Sequence, residues 1–153
     1  MYRDMDILRE VCRILEDGKQ FDGVYPCSTP ELSGRPASDW FAVGVEVDGV
    51  QTADQWDGGD GVGIEMRGSL RITFLGRHDD PLIRDSTLDR LVNTAAALLS
   101  GQALLGITVK GKNKFTAHRW APAKPPERRI VSTFAYSYLV RGWANFDVTE
   151  LKT

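Results

Sequence analysis

The side chains best suited to chemistry in this sequence are two histidines, His78 and His118, and two cysteines, Cys12 and Cys27. Neither histidine lies at a helical i, i+4 spacing from another metal-type ligand, the spacing that sets two ligands on one helix face. His78 runs into Asp79, Asp80 and Pro81, which reads as a solvated turn before a helix. There is no Gly-x-Ser-x-Gly elbow and no Cys-x-x-Cys, and neither cysteine has the sequence context of a nucleophile. Gly58-Gly59-Asp60-Gly61-Val62-Gly63 has the glycine content of a phosphate cradle, but it leads into a strand and lacks the Lys-Ser/Thr pair. Adjacent acids such as Glu16-Asp17 and Asp79-Asp80 do not face a common substrate. No catalytic residue, metal site or cofactor is expected.

Charge distribution is more informative. From Asp39 to Glu65 every charged residue is acidic: Asp39, Glu46, Asp48, Asp54, Asp57, Asp60 and Glu65. From Lys110 to Arg129 nearly all are basic: Lys110, Lys112, Lys114, Arg119, Lys124, Arg128 and Arg129, against Glu127. Two readings follow. If the basic segment is a strand, Lys110, Lys112 and Lys114 share a face near Phe115 and Trp120, which is raw material for a single-stranded nucleic-acid groove. The net charge of −2 over the whole chain argues against a polyanion binder. Alternatively, opposite patches on one surface suit a head-to-tail contact between identical copies, which closes into a ring if the rotation is right. Asp54, Asp57, Asp60, Lys110, Lys112, Lys114 and Arg119 are then the subunit-interface candidates. A variant of the ring reading turns the acidic tip into the lumen.

The elements that hold these residues follow from periodicity. At 153 residues, 42% hydrophobic and 26% charged, the chain has the size and composition of one globular domain, taken as 1–153. Ile7, Leu8, Val11, Cys12, Ile14 and Leu15 mark an amphipathic helix over 5–17, with Gly18 as its stop and Cys12 on the apolar face. Residues 21–39, rich in Pro and Gly, read as a loop holding Cys27. Strands are expected at 40–47 and 64–74, joined by a long mobile tip over 51–61. Ser86, with Asp89 completing a capping box, opens a second helix whose stripe is Leu88, Leu91, Val92, Ala95, Leu98 and Leu99. Further strands are expected at 107–114 and 129–140, the last with Phe134, Tyr136 and Tyr138 on one face. Helix, strand pair, helix, strand pair indicates an α+β fold: a mainly antiparallel β-sheet with two helices packed on one face. The amino terminus lacks a secretory signal, and the uncharged stretch 91–109 is interrupted by polar residues, so neither export nor a membrane span is expected.

This order of elements, with Gly68-Ser69-Leu70-Arg71-Ile72-Thr73-Phe74, Leu88-Asp89-Arg90-Leu91-Val92 and Arg129-Ile130-Val131-Ser132-Thr133-Phe134-Ala135-Tyr136, resembles the tail terminator (tail completion) proteins of long-tailed bacteriophages. The resemblance covers most of the chain and rests on pattern and length. It implies a non-enzymatic virion subunit, made in the host cytoplasm, that forms a homo-hexameric ring. Such a ring caps the tail tube protein, ends tail polymerisation and joins the head–tail connector or stopper, while genomic DNA passes through its lumen unread. The 51–61 tip and the Pro-rich 120–127 connection match no motif of that family. A head-completion stopper is the nearest neck component of similar size, and the single-stranded nucleic-acid module is the alternative from another class.

Overall fold

In the computed structural model, residues 3–27, 39–58, 61–100, 108, 113–123 and 125–140 are described, with backbone alone for 51–58, 61–63, 117 and 118. Helix α1, Asp4–Asp17, buries Ile7, Leu8, Val11, Cys12 and Leu15 along one stripe. Its stop differs in detail from expectation. Gly18 stays right-handed with φ −69°, and the left-handed turn falls on Lys19 at φ 53°. Helix α2 spans Pro81–Leu99 and so begins earlier than Ser86. The reason lies in the turn before it: Asp80 accepts from Leu82 N at 2.9 Å and Ile83 N at 3.4 Å, and Pro81 fills a first-turn position where its missing N–H costs nothing. Asp80, and not Ser86, is the cap.

The strands are β1 (Gly23–Tyr25), β2 (Trp40–Gly58), β3 (Gly61–Arg77), β4 (Lys114–Ala121) and β5 (Glu127–Val140). They form one five-stranded sheet in the order β1-β2-β3-β5-β4, antiparallel except for β1 beside β2. With both helices contributing to one core on one side of it, the fold is α+β as expected. Three segments differ from the sequence reading. The 21–39 loop contains β1, held where Asp22 and Phe41 exchange hydrogen bonds of 2.8 Å through Asp22 N to Phe41 O and Phe41 N to Asp22 Oδ2. In the expected 51–61 tip, residues 59 and 60 lie outside the described residues and the rest is a paired ribbon, since β2 and β3 stay paired out to Gly58 opposite Gly61. Glycine and aspartate content suggested looseness there, but Val50, Thr52 and Trp56 keep strand character, and two β2 bulges, at 47–49 and 52–54, absorb the misfit. Of the strand expected at 107–114, residue 107 and residues 109–112 lie outside the described residues and Thr108 bridges Tyr138, while the described strand runs from Lys114 on to Ala121, past the expected bound. Phe115 opposite Phe134 and Trp120 opposite Ile130 supply the cross-strand pairs that fix β4.

Register decides what the helices cover. Phe74, Ile72 and Leu70 of β3 stand opposite Ile130, Ser132 and Phe134 of β5, and the row continues through Tyr136 and Tyr138, all on the helix side. Gly68 faces Tyr136, and a Cβ there would fall 2.5–2.7 Å from the phenol ring, so only glycine lets that ring lie across β3. Asp4, in the first turn of α1, is buried, and it accepts hydrogen bonds from both Tyr136 Oη and Tyr138 Oη, the latter at 2.9 Å. The two phenols supply the hydrogen bonds that a buried carboxyl group needs. Burial, reinforced by Asp4, pushes the Tyr136 hydroxyl well above the usual phenol range. On the opposite side of the sheet Trp40, Ala42 and Leu75, with Tyr25, form a smaller cluster.

Candidate functional site

The sheet order carries the two charged segments of the sequence to opposite edges. Among the described residues β1 covers β2 only from Ala42 to Gly44, so from Val45 to Gly58 β2 is an edge. That stretch holds Glu46, Asp48, Asp54 and Asp57. β4 is the other edge, with Lys114 and Arg119 exposed on it. Three interstrand steps separate the two edges, which is roughly 14 Å at the usual strand spacing. That exceeds the screening length of about 8 Å at physiological salt. Acidic and basic edges of one copy therefore neutralise each other little.

Several expected interface charges are instead engaged within the subunit. Arg71 reaches Asp48 at 2.8 Å and Glu46 at 3.3 Å, Asp39 lies 3.4 Å from His78 Nε2, and Glu65 is buried. Arg128 is 2.5 Å from Asp85. Of the seven interface candidates, the backbone places Asp54 opposite Glu65 and Asp57 opposite Val62 on the ribbon, and Lys114 and Arg119 stand on β4. Asp60, Lys110 and Lys112, and with them the face expected to be shared by the three lysines, lie outside the described residues. Bulges in β2 and in β4 interrupt the edge ladders, so contact at those points must run through side chains.

The nucleic-acid reading fares less well at its aromatics. Phe115 packs on the core with its ring 6.3 Å from that of Phe74, and Arg128 caps Trp120 at 4.2 Å from the ring centroid. A stacking platform needs open ring faces. Phe134, Tyr136 and Tyr138 are covered by the helices and offer no apolar area to a neighbour. His78 serves its own turn, its Nδ1 accepting from Asp80 N at 2.9 Å. Among the described residues no three His, Cys, Asp or Glu side chains gather as a metal site, and no helix is long and apolar enough to cross a membrane.

No protein-family model and no curated protein matches this sequence. Among solved structures, one similar chain belongs to the virion of a native gene transfer agent particle, at a TM-score of 0.48 and 16% identity over 85% of this chain and 84% of that one.

One surface escaped the sequence reading altogether. Where α2 begins beside the end of β4, a groove of about 430 Å³ is lined by Arg84, Trp120, Pro122, Glu127 and Arg128 among others. Asp85 ties its two arginines together, at 2.9 Å from Arg84 Nε and 2.5 Å from Arg128. Burial works against the Asp85 charge, but hydrogen bonds from Arg84 and Arg128 outweigh it and hold the carboxyl below the usual range. The only hint in the sequence was the unmatched Pro-rich stretch. Arg84 and Asp85 went unnoticed because the helix was expected to start after them.

Proposed function

We propose that this chain is a structural, non-enzymatic subunit of a phage-like virion that assembles with copies of itself into a ring at the head-proximal end of a tail, as the tail terminator proteins it resembles do. One observation carries the reading: a single sheet bears acid on one edge and base on the other. Such a subunit is complementary to its own copy by translation and rotation, which is the requirement for a heterologous, ring-closing contact. Asp54, Asp57 and Asp60 of one copy face Lys110, Lys112, Lys114 and Arg119 of the next. Rim ion pairs contribute only about 0–1 kcal/mol each, so they select orientation and register while apolar contact supplies affinity. On this reading the ring's partners are the tail tube protein and the head–tail connector or stopper, and genomic DNA passes through without sequence recognition.

Charge reversal tests the edges. Lys114→Glu with Arg119→Glu should weaken self-association in low-salt sedimentation, and Asp54→Lys with Asp57→Lys should restore part of it. Rings that ignore both sets of changes would show that the edge charges play no part in the contact. Should the acidic changes spare rings but impair DNA passage, the lumen placement of Asp54, Asp57 and Asp60 replaces the edge pairing.

A further inference from the structure

The groove beside Trp120 has the composition of an energetic centre of a protein contact. Trp120 is 40% exposed, and in the adjoining first turn of α2 Leu82 is 76% and Ile83 49% exposed. Leu82 and Ile83 immediately precede the groove residue Arg84, so exposed apolar side chains lie near the groove in the chain, and a contiguous exposed apolar patch marks an interaction surface. Arg84 and Arg128 share the one carboxylate of Asp85, which leaves positive charge beside the indole. Glu127 on the same rim has Arg77 opposite it in register, and Arg119 immediately precedes the tryptophan. Tryptophan and arginine around a pocket are the types that dominate binding energy at interfaces.

The far end of the sheet presents the complementary chemistry. β5 stops pairing with β3 at Ile64 opposite Val140, so among the described residues Gln55–Gly58 and Gly61–Gly63 form a ribbon with no third strand. Two strands alone are marginal in water. Over Gln51–Gly58 and Gly61–Gly63 the ribbon's sequence carries Asp54, Trp56 and Asp57 and no cation. A tryptophan with aspartates beside it in the sequence is chemically complementary to a partly exposed indole with two guanidinium groups next to it. Within one copy the two cannot meet. Trp120 pairs with Ile130 and Ile130 with Phe74, ten residues along β3 from Ile64, or about 33 Å at the usual rise.

We propose that the ribbon end of one copy, with Trp56 and its flanking carboxylates, docks in the Trp120 groove of the next copy. This rests on the ring reading and gives it the apolar contact that the edge charges lack. A site at one end of a subunit and its ligand at the other make the contact head to tail.

The test uses the purified full-length chain with a photoreactive benzoylphenylalanine replacing Leu82, and peptide mapping of the cross-linked product. The expected product joins position 82 of one copy to residues 51–63 of another. Trp56→Ala and Trp120→Ala should each weaken self-association about tenfold or more, and the double variant should be no weaker than the worse single one, because both remove one contact. Arg128→Gln, which removes one guanidinium beside the indole without setting a second carboxylate against Asp85, should act in the same direction. Rings whose cross-links map elsewhere, or tryptophan variants whose effects add, overturn the docking contact and leave the ring standing. A chain that stays monomeric at every concentration overturns both.

Discussion

On the helix side of the sheet, Tyr136 and Tyr138 reach a carboxylate that lies within their own subunit, Asp4, and the whole arrangement is closed off from water. On the edges, Lys114 and Arg119 face solvent, and the acids of β2 stand three strands away. The first region completes its match inside one copy; at the edges Glu46 and Asp48 pair with Arg71, while Lys114 and Arg119 stay exposed. A buried polar group without its partner costs several times what an exposed one does, so the interior must satisfy itself at folding. An exposed edge is under no such demand and can wait for a second molecule. Folding stability should therefore respond to changes on the helix side, and assembly to changes at the edges and groove.

The largest effect on folding is expected from Leu99→Ala. Leu99 is fully buried, and its truncation should cost about 2–5 kcal/mol in urea unfolding. Leu98, its neighbour in the same stripe, is only half-buried and touches the surroundings of Gly18, so Leu98→Ala should cost distinctly less. Equal losses would mean that the helix is rotated from the face described.

Next comes the Asp4 cluster. Asp4→Ala strands two buried phenols at about 1–3 kcal/mol each, measurable as a fall in midpoint with unchanged slope. The same site makes a pH prediction. Because the Tyr136 hydroxyl titrates higher in the folded chain than the ordinary phenol value of 10.0, its contribution is fully present below pH 10 and is lost as pH rises beyond it. Tyr136→Phe should flatten that alkaline decline, and an unchanged decline would assign it to other groups.

A third change probes the space beneath that ring. Gly68→Ala should cost about 1–3 kcal/mol by overpacking, with Gly49→Ala on the neighbouring strand β2 as a mild control, since there the nearest side-chain atom is 3.7 Å from the added carbon. Thiol labelling sharpens the contrast further without any mutation. Cys27 is exposed, whereas burial pushes the Cys12 thiol up to about 11, so native protein should label at Cys27 alone.

How much of this was legible in the sequence depended on periodicity. The stripe of α1, the alternation Leu70, Ile72, Phe74 and the aromatic row of β5 all place repeating apolar residues at a fixed spacing, and each became an element near its expected bounds. β1 was too short to have a period, and the ribbon was masked by its glycines and aspartates. The start of α2 depended on whether Asp80 or Ser86 captured the free N–H groups, a choice made by the Pro81 ring that local patterning did not weigh. The opposite signs of the two segments were visible from composition, but their separation to the two edges required the strand order, which no local signal encodes. The groove was least accessible, because Arg84, Trp120 and Arg128 come together only through α2, β4 and β5.

The smallest effect on folding, and the largest on function, belongs to the edges. Reversing Lys114 and Arg119 should change unfolding free energy by no more than about 0.5 kcal/mol, as for ordinary surface positions, while shifting the sedimentation of assemblies. The most direct test of the account is electron microscopy of the purified chain at low salt, alongside this variant. Closed rings of uniform size for the parent chain, and their loss or thinning in the folded Lys114→Glu, Arg119→Glu variant, are the predicted result; particles that remain monomeric and shift a single-stranded oligonucleotide would contradict it.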